Sequence, residues 1–397
     1  MVSGKTMILG MMGIACSLLM ACSSKQKEYL GEMPVIAEKV TLPTGDLIVC
    51  DLAKATDTLD VPLSMLTEKE LQIVPLDNRD EALVGGWVRT TVSDNYILVS
   101  NNRQVPYKLF GRDGKFICTV GSFGQGPNEY QLTYAEQLDE AHNRIYIMSW
   151  NAEKILVFDL QGNPQPYIPL NTRVPKGKFR VNTADSTVIV TKLPFEGSTE
   201  MVWVQDMHGN RKQSIAPGHL MAPRDFSNEV MDARNTSAYD VMFLIIMPEA
   251  KQDSLYHYNL EKNRLEPRFT TLFTGEKMPW HGYTELPRHF MGDVSFPVQV
   301  SETSFQGSAP AYYIVDKTTL KGNFMRLKND FLHISAWPSF SNGYYTANME
   351  PMALKEQLEE ALEEENLDES VQARIKACLS SLDENGNNVI LLAKLKN

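Results

Sequence analysis

The chain has 397 residues, with 49 acidic and 38 basic side chains, a formal net charge of −11 and 43% hydrophobic residues. Residues 351–384 hold ten acidic and three basic side chains, so −7 of the charge lies there and the remainder is close to neutral. A nucleic-acid partner is excluded on that balance, because no basic stripe is present to neutralise phosphates.

In chain order, the first feature is an address. Lys5 precedes an apolar run from Met7 to Met20, too short for a spanning helix and suited to a removed signal. Leu19-Met20-Ala21-Cys22 resembles a bacterial lipobox, which places cleavage before Cys22 and a lipid on its thiol. Ser23 after the cysteine resembles the pattern that sends lipoproteins to the outer membrane. The acyl chains of such an anchor hold a protein far more firmly than a single chain would. Removal of residues 1–21 leaves a mature chain the size of one large β-propeller. The other cysteines of the mature chain, Cys50, Cys118 and Cys378, have no CxxC spacing and read as buried thiols rather than a zinc site or a disulfide framework.

Residues 22–60 read as a lipidated tether and lead-in with one short strand near Leu47–Cys50, and 61–397 as the folded ring. Leu71–Asp77, LQIVPLD, has the spacing and residue types of Gln165–Asn171, QPYIPLN, and reads as an outer strand with no blade in front of it. Strands follow at Tyr96–Ser100, Tyr107–Phe110 and, after a Gly111-Arg112-Asp113-Gly114 turn, Phe116–Val120. Gly121 to Tyr130, GSFGQGPNEY, is glycine-rich after a strand. It lacks the Gly-Lys-Ser/Thr ending and the following helix of a phosphate loop, so it reads as a crossing from one blade to the next.

Asn143–Leu170 is the clearest repeat unit. It predicts three strands, Ile145–Ser149, Lys154–Leu160 and Gln165–Leu170, joined by Asn151-Ala152-Glu153 and by Gln161-Gly162-Asn163-Pro164. Gly111, Asp159, Asp206, Asn259 and Asp316 open equivalent turns that recur about every fifty positions. That period, with several strands per unit, predicts propeller blades. The last unit is interrupted between Gly343–Asn348 and Val389–Lys396. There Leu354, Leu358 and Leu362, then Leu367, Val371, Ile375, Leu379 and Leu382, fall at helical spacing. These predict an acidic αα-hairpin over 351–384, ended by Asn385-Gly386-Asn387. Pairing Leu71–Asp77 with the last unit closes the ring and removes exposed sheet edges. The expected fold is an all-β, six-bladed β-propeller with the helical hairpin inserted in its last blade.

The GSFGQGPNEY loop, the following LDEAHNRIYIM and KILVFDLQGN, the closing VILLAKLK and the opening VPLSMLTEKELQIVPLD resemble the six-bladed β-propeller lipoproteins of Bacteroidetes with NHL-like repeats. The resemblance implies a fold and an envelope location rather than a reaction. Asp57-Thr58-Leu59, Asp185-Ser186-Thr187 and Asp253-Ser254-Leu255 resemble the Asp-Ser/Thr-apolar sites that Bacteroidetes O-glycosylate in exported proteins. Ser24-Lys25-Gln26-Lys27 lacks the acidic run of a surface-export signal, which favours an outer-membrane protein facing the periplasm.

Loops from an outer strand to the next inner strand open on one face of a propeller. Here they are expected at 78–90, 121–131, 171–182, 217–238 and 274–293. The last two carry Arg224, Asp225, Glu229, Asp232 and Arg234, then Trp280, His281, Tyr283, Arg288 and His289. Of these, Arg224, Asp225, Trp280, His281, Tyr283 and Arg288 are the candidate binding residues, since aromatic rings beside charges suit a sugar or peptide. The histidines show no HExxH motif, and there is no GxSxG elbow, so no catalytic residue is named. Propellers of the calcium-dependent lactonase type hold an axial metal with acidic and amide side chains. No cofactor or metal site is expected here, since no EF-hand pattern is present; were calcium bound, Asn143, Asp185 and Asp240, near predicted inner strands, are the residues that could supply ligands. The expected function is a lipid-anchored binding or interaction module that presents a long-loop face to a glycan, peptide or envelope partner. The rival is a metal-assisted hydrolase or lyase at the channel mouth.

Overall fold

The computed structural model describes residues 33–86, 88–101, 105–245, 253–273, 278–301 and 305–397; the signal segment and Cys22 lie outside them. The described strands form six blades. Blade 1 comprises Val88–Val92, Tyr96–Asn101, Tyr107–Gly111 and Phe116–Val120, and blade 2 comprises Thr133–Asp139, Arg144–Ser149, Asn151–Phe158 and Pro164–Pro175. Blade 3 holds Lys178–Asn182, Thr187–Thr191, Val202–Asp206 and Arg211–Ile215. Blade 4 holds Glu229–Met231, Asp240–Leu244, Leu255–Asn259 and Arg264–Leu272. Blade 5 runs through Trp280–Glu285, His289–Ser295, Ala311–Asp316 and Gly322–Asn329. Blade 6 joins the two ends of the chain: Phe340–Ser341, Tyr344–Met349 and Val389–Lys394 are followed in space by Gln72–Pro75. The predicted closure is observed, with Val389 opposite Pro75 and Leu392 opposite Gln72.

Buried apolar side chains segregate into six clusters, one in each wedge between neighbouring blades. Tyr146, Met148 and Ile155 of blade 2 meet Phe179, Val188 and Trp203 of blade 3. Val74 and Ile390 of blade 6 meet Ile97 and Phe110 of blade 1. No blade buries both its faces alone, and the ring is the arrangement that covers them all.

The turn residues aligned by sequence fall at equivalent places, each ending or directly following the third strand of its blade. Asp159 Oδ1 accepts from the backbone N–H groups of Gln161 and Asn163, and Asp206 repeats this with His208 and Asn210. A side chain that satisfies two turn amides fixes the hairpin, which is why the signal recurs. In blade 2 the third strand starts at Asn151 and pairs with a long fourth strand, Asn151 opposite Pro175. The expected Asn151–Glu153 turn is therefore strand, and the bend falls at Trp150.

The lead-in is built into the sheets rather than standing before them. A hairpin of Ala37–Leu42 and Gly45–Asp51 adds parallel to the outer strand of blade 4, with Ile48 opposite Phe269. Thr58–Pro62 adds parallel to the outer strand of blade 5. Two exposed sheet edges are covered in this way.

Helices Pro351–Leu362 and Glu369–Ser381 form the predicted hairpin between the second and third strands of blade 6. Leu354, Leu358, Ile375 and Cys378 are buried in the wedge between blades 5 and 6, each of the larger side chains contributing roughly 2 kcal/mol. The second helix ends at Ser381, where Leu382 turns extended, earlier than the Asn385-Gly386-Asn387 signal. Asn387 serves the ring closure instead: its side-chain amide donates to Asp77 O and Ala82 O and accepts from Val84 N. Cys50 and Cys378 are buried free thiols, and Cys118 is a half-buried one.

Candidate functional site

Blades traversed inner to outer place the turns between strands 1–2 and 3–4 on one face, and the other connections on the opposite face. The first-strand turn of blade 4, residues 232–239, is longer than its counterparts and folds across the ring. Arg234 donates to Glu136 O of blade 2 and Phe179 O of blade 3. Asn235 donates to Glu285 O of blade 5 and Phe340 O of blade 6, and accepts from Gly343 N. A segment bonded to the first strands of four blades must cross the axis, so it plugs that end of the channel.

What remains is a blind cavity of about 1130 Å³, open on the face that carries the blade-to-blade loops and the helical hairpin. Its wall includes Arg89, Thr90 and Thr91 of blade 1, Tyr134 and Glu136 of blade 2 and Lys178 of blade 3, with Asp232 and Arg234 of the plug below. The first strand of blade 6 is two residues long. The second strand therefore reaches the cavity through Tyr345–Met349, and the loop leading into the first strand contributes Ser335–Ser339. Trp337 in that loop is 63% exposed, the most exposed large hydrophobic side chain among the described residues, and rests edge-on against Tyr312.

The deep polar groups form a mixed-sign network. Arg89 pairs with Glu136 at 3.1 Å, and Arg234 Nε donates to Asp232 at 2.6 Å. Lys178 stands 3.9 Å from Asp232 and over the Tyr134 ring. Tyr107 donates to Glu136 at 3.0 Å from behind. Burial pulls the Lys178 ammonium below the ordinary lysine value despite Asp232. Burial pushes Asp232 upward, but Arg234 and Lys178 outweigh it and hold the carboxyl below its usual value. Opposed charges in a partly dry site favour ligands that offer both donors and acceptors.

The model of the family described as "Domain of unknown function (DUF4934)" matches residues 47–394. The chain belongs to that family. Among solved structures, this DUF4934 chain is similar to a Bacteroides fragilis protein provisionally described as exported, at 15% identity and a TM-score of 0.57 over 88% of this chain and 100% of that one. A Bacteroides vulgatus member of the DUF4221 family aligns at 10% identity and a TM-score of 0.45, over 84% and 98% of the two chains. The first likeness is one of fold. No functionally curated protein matches the chain.

In this DUF4934 propeller the sequence-derived candidates divide sharply. The stretch expected as a loop over 274–293 is mostly the first hairpin of blade 5, so its residues are fixed by the sheet. His281 is buried between Asp253 Oδ1 and Pro279 O, each at 2.9 Å. Tyr283 is buried, its hydroxyl accepting from Thr271 N and its ring edge-on to Phe269. Trp280 is half-buried, packed over Gly307 of the adjoining hairpin. Arg288 is exposed in the turn on the plugged face, away from the cavity mouth, and His289 is buried beside Asp316. The stretch 171–182 is likewise strand, broken only at Lys176-Gly177.

The 217–238 segment is a genuine connection up to Asn228. Arg224 and Asp225 are exposed there, Arg224 over the Phe226 ring and Asp225 capping Ser227 N. Neither lines the cavity, whereas Asp232 and Arg234 from the same segment do. Glu229 is held by the buried Lys176 ammonium, which also bonds to Asn228 O and anchors the loop. Asn143, Asp185 and Asp240 do not converge. Asn143 accepts from Leu160 N, Asp185 serves its own turn, and Asp240 accepts from Ala233 N and Arg234 N. Of the O-glycosylation look-alikes, Thr58 and Ser186 are exposed, while Ser254 is buried and inaccessible in the folded ring.

Sequence reasoning missed Trp337, Arg89, Glu136 and Lys178. The connection 330–339 went unread because the strand after it, Phe340–Ser341, is too short to show a period. The other three lie on the first strands of blades 1, 2 and 3, where Arg89 and Lys178 fall in stretches expected as loops, 78–90 and 171–182; charge on a channel-facing strand is the signal that locates them.

Proposed function

We propose that this protein is an envelope-anchored binding module that receives one end of a glycan or peptide ligand in the blind cavity. The single observation that carries the reading is Trp337. A large apolar ring held out at the mouth of a cavity that also holds a charged network is costly to leave in water and suits stacking on a ligand. The lipid on Cys22 and the NHL-like kinship of the repeats belong to the same proposal. The chain enters the ring at the plugged face, where Gly322 N donates to Pro34 O and Ile36 N to Leu320 O. A tether leaving from there would turn the cavity away from the membrane, and the exported description of the Bacteroides fragilis neighbour agrees with an envelope or secreted location.

The test is to display the mature chain, from residue 22 onward, against glycan and peptide arrays beside its Trp337→Ala variant. Binding that falls at least about tenfold in the variant supports the reading, since aromatic stacking of this kind is worth roughly a kcal/mol or more. Binding that is indifferent to Trp337, or no binding to either array, overturns it.

A further inference from the structure

Two of the cations that line the cavity share a neutral partner. Lys178 Nζ lies 3.3 Å from Tyr134 O, and Arg89 Nη1 lies 3.5 Å from the same oxygen. One carbonyl thus stands between two like charges. A lysine ammonium has three donors, and Tyr134 O is the one acceptor among the described residues within hydrogen-bond reach of this one, because Asp232 Oδ1 is 3.9 Å away. The Lys178 side chain is only 18% exposed, so water compensates little. Both arginines differ from it: Ser100 Oγ, Tyr134 O and Glu136 Oε2 occupy the Arg89 guanidinium, and Asp232 Oδ2, Glu136 O and Phe179 O occupy that of Arg234. That arrangement leaves Asp232 Oδ1 as an open acceptor beside the open donors of Lys178.

We infer that the cavity binds a carboxylate-bearing sugar, its carboxylate between Lys178 and Arg89, a neighbouring hydroxyl donating to Asp232 Oδ1, and a further ring of the chain stacked on Trp337. The inference rests on the binding reading given above and narrows it to acidic glycans. An anion bound beside the Tyr134 carbonyl meets the unused Lys178 donors and the positive field of Arg89, which Glu136 already shares at 3.1 Å. The adjacent Asp232 carboxylate favours a sugar acid over an acid without hydroxyls, because a sugar acid carries acceptor and donors on one ring. The apolar face of a pyranose supplies what Trp337 needs.

The experiment is calorimetric titration of the mature chain with three probes: a galacturonic acid trisaccharide, the neutral galactose trisaccharide and a tripeptide with a free C-terminus. The acidic sugar is expected to bind best and to weaken with added salt. Lys178→Met and Arg89→Gln should each lower its affinity about ten- to hundredfold, while Lys178→Arg should retain most of it. Thermal unfolding of each variant separates lost binding from lost folding. Equal binding of neutral and acidic sugars, or preference for the tripeptide, overturns this inference and leaves the binding module standing. If none of the three binds and the arrays are also blank, both fall.

Discussion

The two faces of the ring are built from the same strands yet leave their polar groups in opposite states. On the plugged face the turns other than 232–239 are short, and those opened by Asp159 and Asp206 are self-satisfied through paired backbone bonds. On the open face most connections are longer, and the cavity beneath them holds charges that meet each other at 2.6 to 3.9 Å, with donors to spare on Lys178. Turn chemistry that must hold a hairpin occupies its own hydrogen bonds. A surface shaped to receive something keeps open ones, and the difference marks where to look for function.

The plug is where the comparison breaks most readily. Arg234→Ala removes a buried guanidinium that joins three blades and leaves Asp232 with no hydrogen-bonded cation, Lys178 standing 3.9 Å away. Uncompensated buried charge of this kind costs about 3–5 kcal/mol, with both side chains at most 12% exposed. Chemical denaturation should show a loss of that order. A loss below about 1 kcal/mol would mean that the plug rests on the channel end without bracing it.

Asn387 tests the seam of the same ring. Replacement by Ala leaves Asp77 O, Ala82 O and Val84 N unpaired near the closure strand, and a loss of about 2–3 kcal/mol is expected. Amide exchange should quicken selectively in Gln72–Pro75 and Val389–Lys394 if that strand is the weak joint. Uniform quickening over all blades would show a ring that opens only as a whole.

A smaller effect comes from pH. Burial would lower the His281 pKa, but the Asp253 hydrogen bond and charge outweigh it and raise the value above 6.5. A raised folded-state pKa means that the pair contributes fully below 6.5 and loses its contribution as pH rises through the folded value. Stability should therefore decline above about pH 6.5, and Asp253→Asn should flatten that decline. A wild-type profile flat from about pH 6 to 9 would show that His281 does not hold the extra proton.

Periodicity made the scaffold legible, and breaks in periodicity hid the site. Asp159 and Asp206 announce their turns within a few positions of chain, so blade count and closure could be read directly. Leu354, Leu358 and Ile375 announce the helical hairpin for the same reason. Trp280, His281 and Tyr283 misled because strand residues in a degraded repeat carry the same types as a binding loop. His281 and Tyr283 owe theirs to a buried carboxylate and an aromatic pair. Arg89 and Lys178 come from the first strands of blades 1 and 3, and only ring closure brings them to the Tyr134 carbonyl.

The last contrast is the smallest in stability and the most telling for function. Trp337 is 63% exposed and its ring contact is the edge of Tyr312, so Trp337→Ala should change unfolding free energy by no more than about 0.5 kcal/mol. The buried Trp203 in the wedge between blades 2 and 3 is the internal control, and its replacement by Ala should cost about 3–5 kcal/mol. A tryptophan that can be deleted without harm to the fold is retained for something other than the fold. If Trp337→Ala instead cost as much as the Trp203 control, the ring would be part of the wall, and the open face would be as self-satisfied as the plugged one.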